Sequence, residues 1–204
     1  MVPLNNITDQ EIMEYSIVIS PVAILGFVHH AMLYASPKIP KEKWVLVIGL
    51  LGGRLEPENK ILFIEDIVAM ASGSATHVEI SDYTDIQKGQ SELKRKGLAC
   101  FGWYHSNPSY NLFLSNEDVN TQIRWQTLWS PSIALVVDPE LVDGVNWGFK
   151  IFRVNMKTRK YYEVPFRIKG AFNAANLYET LKFYETKFSE ANDISKKDDI
   201  KRAG

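Results

Sequence analysis

The side chains best suited to chemistry lie in one stretch, Gly102-Trp103-Tyr104-His105-Ser106-Asn107-Pro108, followed after six residues by Ser115-Asn116-Glu117-Asp118. If a strand ends near His105, positions 105 and 107 project from the same face, because side chains alternate with period two. An imidazole and a carboxamide then enter one space. Ser115 stands where a helix would begin, and Asp118 falls in its first turn, facing back toward the start. Two readings are open for that pair. It is a capping box, with a hydroxyl at the N-cap and an acid three residues on. Or it brings a hydroxyl and a carboxylate beside the imidazole. His105 alone reads as a hydrogen-bonded structural histidine, and Asn107-Pro108 as turn chemistry. An amide oxygen is a neutral, hard donor that suits calcium or magnesium better than zinc.

The elements that must position these groups follow from periodicity. Ile17 to Ile19 reads as a short strand, and Ser20-Pro21 supplies a hydroxyl cap and a first-turn proline for a helix to about Ala35, stopped by Ser36-Pro37. Leu25, Val28, Met32 and Leu33 recur at helical spacing. His29, on the stripe of Leu25 and Met32, reads as a core-edge histidine. Trp44 to Leu51 is an apolar strand closed by the turn signal Gly52-Gly53, and Lys60 to Ala71 is a second strand beyond the Pro57 and Asn59 turn. Asp82 is placed to cap a polar helix ending at Gly97. Ala99 to His105, Ile133 to Asp138, Phe149 to Asn155 and Tyr161 to Ile168 are strand-length runs, the last two separated by Lys157-Thr158-Arg159. Ala171 to Phe188 closes the fold as a helix with Leu177, Leu181 and Tyr184 on one stripe. The expected architecture is α/β, a mixed and mostly antiparallel sheet flanked by helices. One domain over 17–188 is expected, with an N-terminal extension over 1–16 and a flexible charged tail over 189–204.

Composition excludes several classes of function. The 204 residues carry 24 acidic and 23 basic side chains, a net charge of −1. No basic excess exists to draw in nucleic acid or an anionic membrane, so neither is expected as a partner. The one cysteine, Cys100, allows neither an intramolecular disulfide nor a thiolate-only metal cage and suits a reducing compartment. Met1 to Tyr15 is acidic and polar, and no apolar run is long enough for a bilayer span. A cytoplasmic protein is expected.

Taken together, His105-Ser106-Asn107-Pro108, seven residues between Asn107 and Ser115, then Ser115-x-x-Asp118 and Asn120-Thr121-Gln122 resemble the signature of the MPN (JAMM) family of zinc isopeptidases. Val47-Ile48-Gly49-Leu50-Leu51-Gly52 and Ala134-Leu135-Val136-Val137-Asp138-Pro139 look like two further segments of that family. The likeness is nearest to the branch with the proteasome-lid deubiquitinase subunit and its archaeal relatives. It implies the MPN, cytidine-deaminase-like fold. It also implies that His105 and Asp118 match zinc ligands and Ser115 the oxyanion donor. Two positions depart from the pattern: the second histidine is Asn107, and the glutamate expected three residues before Gly49 is Leu46. A leucine cannot accept a proton, and a general base contributes on the order of 10²–10⁴-fold in rate. Glu42 is the nearest upstream acid and would need a register slip to reach the site.

The resemblance therefore implies a degenerate site, with zinc held weakly or not at all, in a catalytically inactive scaffold or dimerisation partner of a ubiquitin-like or proteasome-type system. The alternative is a zinc isopeptidase with an altered ligand set. Expected partners are another MPN-domain protein or a second copy, through the first helix and Ala171 to Phe188, and a ubiquitin-like protein. His77, in a loop that borders the ubiquitin-tail groove in the family, and Trp125 and Trp129, as anchors at the interface or in the core, are the expected partner-binding residues.

Overall fold

Ser20 begins the first helix as its residue types require. Its Oγ accepts from Ala23 N at 3.1 Å and donates to the Glu65 carbonyl at 2.7 Å. Pro21 fills the first turn, and α1 runs Pro21–Met32. The computed structural model describes residues 15–73, 83–184 and 186. Among them the strands are β1 (Ser16–Ile19), β2 (Val47–Glu56), β3 (Ile61–Ser72), β4 (Ala99–Ser106), β5 (Ile133–Val142), β6 (Trp147–Val154), β7 (Tyr161–Glu163) and β8 (Phe166–Ile168). The helices are α1, α2 (Tyr83–Arg95), α3 (Asn116–Leu128) and α4, residues 174–184. Residues 1–14 of the expected extension, the charged tail and His77 lie outside the described residues, while Ser16, expected in that extension, already belongs to β1.

The strands form one sheet in the order β7-β6-β5-β4-β2-β3-β1-β8. The β2–β3 and β5–β6 neighbours are antiparallel hairpins, whereas β4–β5, β1–β3 and β1–β8 run parallel. The sheet is mixed and flanked by helices, as expected. One face is buried by α1 and α4, where Ile24, Phe27 and Val28 meet Leu51, Tyr104, Leu135 and Leu177. Each of these apolar side chains contributes on the order of 1.5–3 kcal/mol by leaving water. On the other face Ile48, Trp103, Leu114, Val136 and Phe152 form a smaller cluster edged by Val119 and Trp125 of α3. Leu93 of α2 packs there on Leu50 and Val68.

Three expectations need correction. Gly52-Gly53 does not close β2, which continues through both to Glu56. The glycines are needed because the strand shifts register there, and a Cβ on Gly53 would strike the Phe63 carbonyl while one on Gly52 would strike Leu93. A bulge inside a strand produces the same sequence signal as a turn. The run Tyr161 to Ile168 is two strands at opposite edges of the sheet, β7 beside β6 and β8 beside β1. Pro165 between them lacks the N–H that a continuous ladder needs. His29 is exposed, and it is His30 that is buried.

Candidate functional site

Strand β4 lies between β2 and β5, with His105 opposite Ile48 on one side and Val136 on the other. Its ring is 2% exposed and stacks on Trp103, centroids 5.1 Å apart and planes 17° apart. Neither ring nitrogen has a hydrogen-bond partner among the protein groups. Nε2 is 3.7 Å from Asp118 Oδ2, close enough for charge attraction and too far for a hydrogen bond. Burial pushes the imidazole below its ordinary value, and the Asp118 carboxylate opposes that shift.

Asp118 is placed by the start of α3. Ser115 Oγ accepts from Asp118 N at 3.2 Å, and Asp118 Oδ2 accepts from Ser115 N at 2.8 Å, so the capping box is formed. The carboxylate oxygen nearest the histidine is thus also the one that caps the helix. Farther along α3, two buried glutamines that the sequence reading gave no role fasten the helix to the sheet. Trp103 Nε1 donates to Gln122 Oε1 at 2.9 Å. Gln122 Nε2 donates to Gln126 Oε1 and to the Ser132 carbonyl. Gln126 then pairs with both backbone groups of Val154, at 2.8 and 2.9 Å. The signal for them was the i, i+4 spacing of two amides on the face that also carries Val119.

Asn107 follows the strand with its backbone N–H on the Val137 carbonyl at 2.8 Å, and its side-chain amide donates to the Asn111 carbonyl at 3.4 Å. The turn beyond it places Ser109 and Asn111 at φ of 67° and 69°. Asp138 holds that conformation, since its carboxylate accepts from the backbone N–H groups of Ser109, Asn111 and Glu140. Burial raises the Asp138 carboxyl above its usual range, and those backbone donors oppose the rise. Ser106 Oγ accepts from Val47 N at 2.9 Å and locks β4 to the start of β2.

Leu46 sits immediately before β2, 6% exposed, its carbonyl taken by Gly73 N at 2.8 Å. Its side chain is a buried hydrocarbon with no group that can accept a proton. Glu42 is exposed in the turn Lys41–Lys43, outside the strand. A tetrahedral zinc ion takes four donors, three from protein in a hydrolytic site. Here His105 and Asp118 approach one another, the Asn107 amide is bonded within its own turn, and among the described residues no three His, Cys, Asp or Glu side chains gather. With two of the three protein donors brought together, these residues do not complete a catalytic zinc site.

The remaining candidates have structural places. Trp125 and Trp129 are half-buried, Trp125 between the two clusters on the α3 face and Trp129 against Phe101 with centroids 4.4 Å apart. His30 Nδ1 and Tyr104 Oη are 2.8 Å apart, joining α1 to β4. The Tyr104 ring lies over Gly49, where a Cβ would collide with it. Cys100 is half-buried with its thiol on the Gly102 carbonyl, and burial pushes it up to about 11, so it is an inert packing group. Among the described residues no helix is long and apolar enough to cross a membrane.

Comparison with known sequences identifies the family. The family described as JAB1/Mov34/MPN/PAD-1 ubiquitin protease matches residues 13–130. The 26S proteasome non-ATPase regulatory subunit 14 of Dictyostelium discoideum is 37% identical over 123 residues, 59% of this chain and 38% of that protein. The ubiquitin carboxyl-terminal hydrolase RPN11 of Saccharomyces cerevisiae is 32% identical over 126 residues, 61% of this chain and 39% of its own. The COP9 signalosome complex subunit 5 of Drosophila melanogaster is 34% identical over 126 residues, 59% of this chain and 36% of its own. The matched region thus spans under two fifths of these curated relatives.

Proposed function

The chain belongs to the JAB1/Mov34/MPN/PAD-1 family, and from that premise we propose that it is a catalytically silent MPN-domain protein acting as a scaffold or pairing partner in a ubiquitin-like or proteasome-type system. The observation that carries the reading is Leu46, a buried hydrocarbon side chain where the chemistry of the family requires a proton acceptor. Asn107 in place of the second imidazole compounds it, because a metal without its full donor set and a water without a base fail together. Two of the relatives named above are by name subunits of the 26S proteasome and of the COP9 signalosome, which favours protein partners for this chain. Another MPN-domain protein or a second copy, and a ubiquitin-like protein, are the partners proposed.

The retained pair favours a second reading. His105 keeps both nitrogens without a protein hydrogen bond, 3.7 Å from a carboxylate oxygen. A zinc isopeptidase with an altered ligand set would use that pair as its two remaining ligands.

Stoichiometric metal analysis combined with cleavage of a ubiquitin-like fusion separates the two, on the native chain and on Leu46→Glu with Asn107→His. The scaffold reading expects zinc and cleavage only in the double variant. Full zinc occupancy with turnover by the native chain would sink it. Failure of both proteins to take up zinc would reject the family's metal geometry for this chain.

A further inference from the structure

The hairpin between β6 and β7 closes through a turn rich in cationic side chains, Lys157, Arg159 and Lys160, all exposed. Asn155 fixes its backbone. The Asn155 side-chain oxygen accepts from the N–H groups of Lys157 and Thr158 at 3.0 and 2.9 Å, and its own backbone pairs with Arg159 and Lys160 at 2.8 and 2.9 Å. Arg159 takes a φ of 57°, where a glycine would fit without strain. An arginine stands there instead, and its guanidinium crosses to α3 and donates to Asn120 Oδ1 at 2.8 Å. That bond brings the turn against the outer face of α3. Arg124, exposed, follows Asn120 by one helical turn on the same face, and Leu128, 76% exposed, follows by another.

Arg124, Lys157, Arg159 and Lys160 therefore share one surface. Among the described residues Arg124, Lys157 and Lys160 have no carboxylate at ion-pair distance, and Arg159 is held by a neutral amide. Of the acids on the same elements, Asp118 turns to His105, Glu163 is taken by Lys150 at 2.7 Å, and Glu117 stands two helical turns before Arg124. Positive charge is concentrated here on a molecule whose net charge is −1. Such a patch acts at contact distance, because charge is screened beyond about 8 Å at physiological ionic strength. A turn already fixed also lowers the ordering cost of binding. Leu128 favours a polypeptide over a nucleic acid, since a phosphate backbone offers no apolar side chain to meet it. We propose that the β6–β7 turn and the outer face of α3 form a docking surface for an acidic segment of a partner protein. The proposal deepens the scaffold reading, on which it rests, by stating the chemistry of one partner contact, and its residues take no part in the metal and cleavage assay.

The test uses the full chain and the dye-labelled, blocked peptide Glu-Glu-Asp-Leu-Asp-Glu-Glu, with a counterpart in which every acid is replaced by its amide. Fluorescence polarisation at about 20 mM sodium chloride should show saturable binding of the acidic peptide, weakened at least roughly tenfold at about 200 mM. The amide peptide should bind at least roughly tenfold more weakly at the lower salt. Nuclear magnetic resonance shifts are expected at the backbone amides of Thr158 and Arg124. Arg124→Glu with Lys157→Glu, both at exposed positions, should weaken the acidic peptide by about tenfold or more. A thymidine oligonucleotide of equal charge should bind more weakly than the peptide. No saturable binding up to about 1 mM peptide, equal affinity for the two peptides, undiminished binding by the folded double variant, or tighter binding of the oligonucleotide would each overturn the proposal. If that variant fails to fold, Lys157→Gln with Lys160→Gln takes its place, and unchanged affinity there overturns it instead. Failure here leaves the assay of Leu46→Glu with Asn107→His to judge the scaffold reading separately.

Discussion

Asp118 Oδ2 faces two neighbours at once, the Ser115 N–H at 2.8 Å and the His105 ring at 3.7 Å. The shorter contact is a charge-assisted hydrogen bond and the longer one is not a hydrogen bond, so capping dominates what Asp118 does in this chain. Both readings of the Ser115 and Asp118 pair were open in the sequence, because a capping box and a hydroxyl-carboxylate site use the same two residue types at the same spacing. Only coordinates separate them. Ser115→Ala and Asp118→Ala should each cost about 1 kcal/mol in urea unfolding at neutral pH. Removing both should cost less than the sum by roughly 0.5 kcal/mol or more, since each single change already breaks the reciprocal box. Strictly additive losses would mean that the two caps act independently. The departures from the family pattern were legible for a different reason. Leu46 carries no carboxylate and Asn107 no imidazole, and residue type alone declares both. Asp138 carries no comparable signal, because its work is to hold Ser109 and Asn111 at positive φ, which spacing does not reveal.

Helices with side-chain caps were read closely from sequence and strands with bulges were not, and the difference is physical. Ser20-Pro21 and Ser115 mark starts through local hydrogen bonds that their own residues complete. The ends of strands depend on partners far away in sequence. Gly52-Gly53 looks like a turn until Phe63 and Leu93 are seen pressing on it, and Pro165 divides a continuous β-rich run between two edges. The same dependence hid the clamp on α1. His30 carries no sequence signal of its own, yet its Nδ1 lies 2.8 Å from Tyr104 Oη across 74 residues. Burial, aided by the His29 charge, holds the His30 imidazole below its ordinary 6.5. The folded state therefore binds fewer protons than the unfolded chain once the pH drops through 6.5. Stability from this group is fully present above that value and falls as pH decreases toward the folded pKa, with a slope of at most about 1.4 kcal/mol per pH unit. His30→Gln keeps an amide oxygen that can accept from Tyr104 and cannot titrate. Denaturation midpoints measured from pH 7.5 to 5 should drop less steeply for His30→Gln than for the native chain. Parallel curves would show that the clamp does not bear the pH dependence.

The surface of the whole molecule has little to offer a partner through long-range charge, with 24 acids against 23 bases. Attraction over more than about 8 Å is screened at physiological ionic strength in any case. What α1 presents is apolar. Helix α1 has no acidic or basic side chain apart from its two histidines, and Val22, 62% exposed, and Leu33, 57% exposed, lie eleven residues apart on its outer face. Positions three helical turns apart share a face, and the exposed His29 lies between the two. A scaffold that pairs through this helix should therefore associate by apolar burial, which salt does not weaken. Sedimentation equilibrium of the native chain should show self-association that persists or strengthens as sodium chloride is raised from low to high concentration. Val22→Glu with Leu33→Glu should leave a folded monomer, since both side chains are exposed and a glutamate at the C-cap Leu33 costs only about 0.3–1 kcal/mol against the helix dipole. Association that collapses with salt would assign recognition to charge instead, and a double variant that still associates would remove α1 from the interface.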